Sequence, residues 1–90
     1  MSIINKIVIS ESPRDVILFL AKGEAGISYP KLDRIYNINN WINISNNLEL
    51  LKLVELMKQE GLIKEAGGGL VKGPAWKEPG FITEKKYSFE

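Results

Sequence analysis

Residues 48–63, Leu48-Glu49-Leu50-Leu51-Lys52-Leu53-Val54-Glu55-Leu56-Met57-Lys58-Gln59-Glu60-Gly61-Leu62-Ile63, constrain the fold more than any other stretch. At 100° per residue, Leu50, Leu51, Leu53, Val54 and Met57 share one arc, while Glu49, Lys52, Glu55, Gln59 and Glu60 share the other. The pattern predicts an amphipathic helix over residues 46–60, with Asn46 as its cap and Glu49 as the reciprocal acid. Gly61 ends it, because glycine takes the left-handed backbone without steric cost. Leu62-Ile63-Lys64-Glu65 then starts a strand with no linker between. Gly67-Gly68-Gly69 makes a turn, and residues 70–72 can pair back. The leucine-rich helix is therefore expected to dock against the ribbon that follows it.

Upstream, Ser12-Pro13-Arg14-Asp15 is a helix start: Ser12 can cap, Pro13 suits the first helical position, and Asp15 is the capping-box acid. Val16, Ile17, Phe19 and Leu20 then face inward, and Gly23 supplies a stop. Ser28-Tyr29-Pro30 opens a second helix, with Leu32, Ile35 and Tyr36 on its buried side and an end near Asn37. The connection to the third helix is rich in asparagine, whose side chain competes for backbone hydrogen bonds and favours caps and turns. Residues 3–9 fit two periods. Ile7 and Ile9 alternate as in a strand, while Ile4, Ile7 and Val8 fit a helical face; a short strand or extended arm is expected. Residues 73–80 form a loop around Pro74, Trp76 and Pro79. Residues 81–89 alternate as a strand, with Phe81, Thr83, Tyr87 and Phe89 on one face. With no internal repeat and no long linker, residues 1–90 are expected to form one domain.

Composition narrows the chemistry. A chain of 90 residues buries only about 60–65% of the surface it exposes when unfolded, so its core is modest and dimerisation would help it. It has neither cysteine nor histidine, which removes disulfides, the commonest zinc ligands and the commonest general base. No cofactor, metal site or catalytic residue is expected. Gly67-Gly68-Gly69 lacks the Gly-Lys-Ser/Thr that completes a phosphate loop, and the sequon Asn43-Ile44-Ser45 is read as incidental. The apolar residues 3–9 are broken by Asn5 and Lys6, with no small-residue cleavage pattern after them. The apolar run 16–21 is too short to span a bilayer. A cytoplasmic protein without membrane contact is expected. Richness in Ile, Asn and Lys fits AT-rich codons and, with them, an accessory or phage-like element.

The order of three helices and a hairpin, with Leu53-Val54-x-x-Met57-x-x-x-Gly61-Leu62-Ile63 and Ile82-Thr83-Glu84-Lys85-Lys86-Tyr87-Ser88-Phe89, resembles the winged helix-turn-helix superfamily. Lys86 stands where the second of those patterns often has glycine. The resemblance spans roughly residues 12–89 and implies an α+β fold of three helices followed by a β-hairpin wing. It also implies a third helix that enters the major groove and a wing that touches the neighbouring backbone. Carried over, the reading face would be Ser45, Asn46, Asn47, Glu49, Lys52 and Gln59, with asparagine and glutamine suited to adenine and lysine to guanine. Wing contacts would come from Lys64, Lys72, Trp76 and Lys77, and Lys31 and Arg34 on the second helix would hold phosphates.

Charge runs against that reading. Lysine and arginine number 12 against 11 acids, a net charge of +1, and the third helix is itself net negative. Leu48 and Leu56 fall on its solvent side, where groove-binding relatives usually carry a polar or basic residue at the position of Leu56. They either pack beneath the asparagine-rich loop and the wing or form a protein contact. Trp41 and Trp76 either close the ends of the core or anchor a partner. Two functions are therefore carried forward. One is a DNA-binding winged helix, a small transcriptional regulator with a homodimer as one expected state. The other is a winged helix that binds protein, such as an immunity or antitoxin protein whose acidic helix covers a basic toxin cleft.

Overall fold

The computed structural model describes residues 3–87. Its elements are α1 (Ile3–Ser10), α2 (Pro13–Leu20), α3 (Tyr29–Ile38), α4 (Asn47–Gln59), β1 (Ile63–Ala66), β2 (Gly69–Lys72) and α5 (Gly80–Thr83). The architecture is mixed α+β: five helices and a two-stranded antiparallel hairpin among the described residues. Three of the helix starts are set locally. The backbone N–H groups of Asp15, Lys31 and Glu49 donate to Ser12 Oγ (3.3 Å), Ser28 Oγ (3.3 Å) and Asn46 Oδ1 (3.0 Å). Each bond satisfies a donor that the first helical turn leaves without an intrahelical partner.

The hairpin closes through Gly67 and Gly68, both at positive φ, as a two-residue turn matched to strand twist requires. Ala66 pairs with Gly69 and Ile63 with Lys72. A third backbone joins this ribbon at one point. Ile27, just before α3, donates to Leu70 O (3.0 Å) and accepts from Leu70 N–H (2.7 Å). The lateral order is thus Ile27, β2, β1, and the bridge fixes where α3 begins relative to the hairpin.

One cluster of buried residues joins these elements: Ile7 and Val8 from α1, Val16, Ile17 and Leu18 from α2, Leu32 and Tyr36 from α3, Leu50, Val54 and Met57 from α4, Ile63 and Leu70 from the ribbon, and Phe81 from α5. Tyr36 is fully buried and its hydroxyl finds no hydrogen-bond partner among the described residues. Burial alone holds its phenol far above the ordinary value. A buried polar group without a partner costs about 1–3 kcal/mol. Tyr36→Phe is therefore expected to raise unfolding stability by roughly 1 kcal/mol, read from urea denaturation. A loss of stability would show that the hydroxyl is bonded.

Three expectations are corrected. Residues 3–9 are helical instead of extended: adjacent Ile7 and Val8 are both buried, which alternation cannot achieve. The faces of α2 and α3 available to α1 override the strand preference of its isoleucines. The strand expected over residues 81–89 is replaced by the short helix α5 and a turn, with positions 88 and 89 outside the described residues. Phe81 inserts between the rings of Phe19 and Tyr87, 5.6 Å from each, and Pro79 sets the backbone that enters the turn. The fold thus has two helices more than the three expected. Leu51, expected in the core, is 42% exposed.

The segment after α5 is pinned to the α1–α2 junction. Tyr87 Oη donates to Glu11 Oε2 (2.5 Å), and Lys86 Nζ lies 2.8 Å from the same oxygen. Burial pushes the Glu11 carboxyl up, but the bonds from Lys86 and Tyr87 and the lysine charge outweigh it and hold it below its ordinary 4.5. A lowered carboxyl contributes stability that is complete above 4.5 and is lost as pH falls through the folded-state value. Thermal melts from about pH 7 down to about pH 3 should show the native chain more stable than Glu11→Gln at neutrality, with that lead vanishing in acid. A lead constant across the range would exclude the ion pair as its source.

Candidate functional site

The first turns of α3 and α4 are tied together: Tyr29 Oη donates to Asn47 O (3.1 Å). That bond, with the bridge at Ile27, presents α4 with one side in the core and the other in solvent. Leu50, Val54 and Met57 are buried, whereas Leu48, Leu51 and Leu56 are 57%, 42% and 47% exposed. Leu48 therefore does not pack beneath the asparagine-rich loop, nor Leu56 beneath the hairpin.

Asn46, Asn47, Glu49, Lys52, Leu56 and Gln59 are all exposed, as expected of a contact face. Glu49, Lys52, Leu56 and Gln59 share one side of α4, whereas Asn46 precedes the helix as its cap and Asn47 falls on a different flank at 100° per residue. Asn46 is partly occupied as the cap, and Lys52 lies 3.7 Å from Glu49. Sequence reasoning missed Leu51, because a helical wheel cannot say where the covering hairpin stops. Leu51 stands beside Leu48 and Glu55 on adjacent turns and borders a groove.

That groove, of about 240 Å³, lies between Tyr29 and Pro30 of α3, Leu51 and Glu55 of α4, and Glu65 and Gly68 of the hairpin. Lys58 closes one end, with Nζ 2.9 Å from Glu65 Oε1 and 3.3 Å from Glu55 Oε2. The bonds to Glu65 and then Glu55 raise the ammonium above its ordinary value. Two carboxylates share one ammonium, so the rim keeps surplus negative charge. Glu60 is held by Arg14 of α2, which removes one of the chain's two arginines from any role in base reading.

The residues expected on the wing do not gather with that face. Lys64, Lys72 and Lys77 are exposed, but Lys72 Nζ sits 4.4 Å from the centre of the Trp76 ring. Trp76 is half-buried, and its indole N–H donates to Leu18 O (3.0 Å). The loop after β2 is thus fastened to α2, and Trp76 closes the core there. Trp41 is also half-buried, stacked on Tyr36 at 6.2 Å. Lys31 and Arg34 are exposed on the outer side of α3, and no acid among the described residues pairs with either.

No group of metal-ligating side chains and no helix long and apolar enough to cross a membrane occurs among the described residues. Comparison with protein-family models, with curated proteins and with solved structures found no match.

Proposed function

We propose that this protein is a winged-helix-like module that binds a partner protein through the exposed side of α4. The winged-helix reading is supported by the order α2, Ile27 bridge, α3, α4, β1, β2, in which the segment before α3 pairs with the second hairpin strand. α1 and α5 are additions to that plan. The observation that carries the protein-binding reading is the exposure of Leu48, Leu51 and Leu56 across the solvent side of α4, where Glu49 and Glu55 outnumber Lys52.

Exposed apolar groups rimmed by charge fit a protein contact, where their burial supplies the favourable free energy. Phosphates, by contrast, are repelled by the acids and gain nothing from leucine. A basic cleft would match this face, so a toxin-neutralising role fits it. A soluble toxin with a cationic active site is the partner class this reading favours.

DNA binding is the second reading, and one observation favours it. Lys31 and Arg34 are exposed on α3 without an ion pair among the described residues, and Asn46 and Asn47 are exposed at the start of α4. The two readings differ in salt dependence. Binding that rests on several phosphate contacts weakens steeply and log-linearly with salt. Fluorescence anisotropy with a random-sequence duplex, from about 50 to about 200 mM salt, is expected to show only weak binding, unaffected by Lys52→Ala. Tight, steeply salt-dependent binding that Lys52→Ala weakens would establish the DNA reading instead.

A further inference from the structure

A second groove, of about 510 Å³, runs along the outer side of α3, lined by Ser28, Pro30, Lys31, Arg34, Ile35 and Ile38. Ile38 is 62% exposed, so this groove too has an apolar wall open to solvent. Pro30 lines both this groove and the one beside α4. The two are neighbours across one proline ring, and their charges are opposite. Lys31 and Arg34 form no ion pair among the described residues, although Asp33 adjoins them on α3, whereas Glu55 and Glu65 share the cation Lys58.

We propose that the two grooves form one strip that takes a single linear segment of the partner protein. Its apolar side chains straddle Pro30, an acidic residue lies against Lys31 and Arg34, and a basic residue lies against Glu55 and Glu65. This rests on the protein-binding reading above and adds the partner's charge order to it. The opposed charges fix the direction of the segment, because the reversed orientation sets like charges against each other at both ends. Ser28 to Ile38 covers about 15 Å of helix, and the whole molecule is 30 Å in its longest dimension. A segment of about 16 residues is long enough to cross both grooves whether helical or extended.

The test uses the full chain and a displayed library of random 16-residue peptides. Enriched peptides are expected to carry an acid toward one end, a base toward the other and apolar residues between them. Arg34→Glu and Glu55→Lys, both at surface positions, should each weaken a selected peptide about tenfold. Changing the peptide's acid to lysine should restore its binding to Arg34→Glu. Leu51→Arg should abolish binding of the same peptide.

Other results separate the two levels of the proposal. Peptides that need Leu51 but ignore Arg34 would overturn the strip and leave the α4 reading standing. Peptides indifferent to Leu51 would overturn both. A library that enriches nothing would overturn the linear segment. Displacement of a selected peptide by a 20-base-pair duplex would reassign the strip to nucleic acid and overturn the proposal.

Discussion

Gly26→Ala is expected to destabilise the fold by about 3–4 kcal/mol. Gly26 has φ +60°, and a Cβ there would lie 1.8 Å from Leu70 O. A non-glycine residue in the left-handed region costs about 1–2 kcal/mol. The overlap is with backbone, so it is relieved only by moving Ile27 away from Leu70. That sacrifices the two hydrogen bonds of the bridge, each worth about 1 kcal/mol. For a domain of this size the melting temperature should fall by roughly 15–30 °C. Gly23→Ala is the control: a Cβ there meets nothing within 4 Å, and the shift should stay within about 1 kcal/mol. Equal melting temperatures for the two variants would mean that Ile27 does not hold the hairpin. The bridge also sets the position of Tyr29 and Pro30, so the groove should be damaged with it.

Leu51→Arg is expected to leave the fold almost unchanged and to weaken partner binding at least thirtyfold, which is about 2 kcal/mol or more. The side chain is already 42% exposed, so arginine can extend into solvent; surface changes of this kind usually fall within about 0.5 kcal/mol. Binding would have to bury the new cation against apolar surface, beside the groove that received an apolar group. Leu56→Arg should act in the same direction at the far edge of the face. Leu50→Ala, one position away and fully buried, should do the reverse. It removes core contacts worth about 2–5 kcal/mol and impairs binding only as far as it unfolds the chain. Capture from nuclease-treated host extract, compared across these variants after circular dichroism confirms folding, checks the pattern. Retention of the same proteins by the native chain and Leu51→Arg would remove Leu51 from the interface.

Features fixed by neighbours in the chain were legible in the sequence. Ser12, Ser28 and Asn46 each cap the helix they precede, because capping needs only a short polar side chain two or three residues before the donor. The passage from α4 through Gly61 into β1 was legible for the same reason. Features that depend on distant surfaces were not. Leu51 fits the apolar arc of its helix, yet the hairpin turns back at Gly67 and Gly68 and leaves it uncovered. Residues 3–9 fit strand and helix alike until α2 and α3 supply a surface on which Ile7 and Val8 can both be buried. Phe81 and Tyr87 look like alternating strand residues, but their rings pack against each other and Phe19, and the segment joins no sheet. Of the residues proposed for the contact face, Leu48 and Leu56 were legible from helical period, whereas Leu51 was not. Trp76 was not placed, because its bond to Leu18 O spans 58 positions. The meeting of two oppositely charged grooves at Pro30 has no sequence signature.

Protein, and not nucleic acid, is proposed to cover the exposed side of α4. Site-specific photo-crosslinking in the native host tests it most directly, with a benzophenone side chain placed at position 56 and, separately, at position 77. Discrete protein adducts are expected from position 56, resistant to nuclease and abolished by Leu51→Arg, with none from position 77. Adducts at position 56 that nuclease digests, or adducts equally strong from both positions, would contradict it.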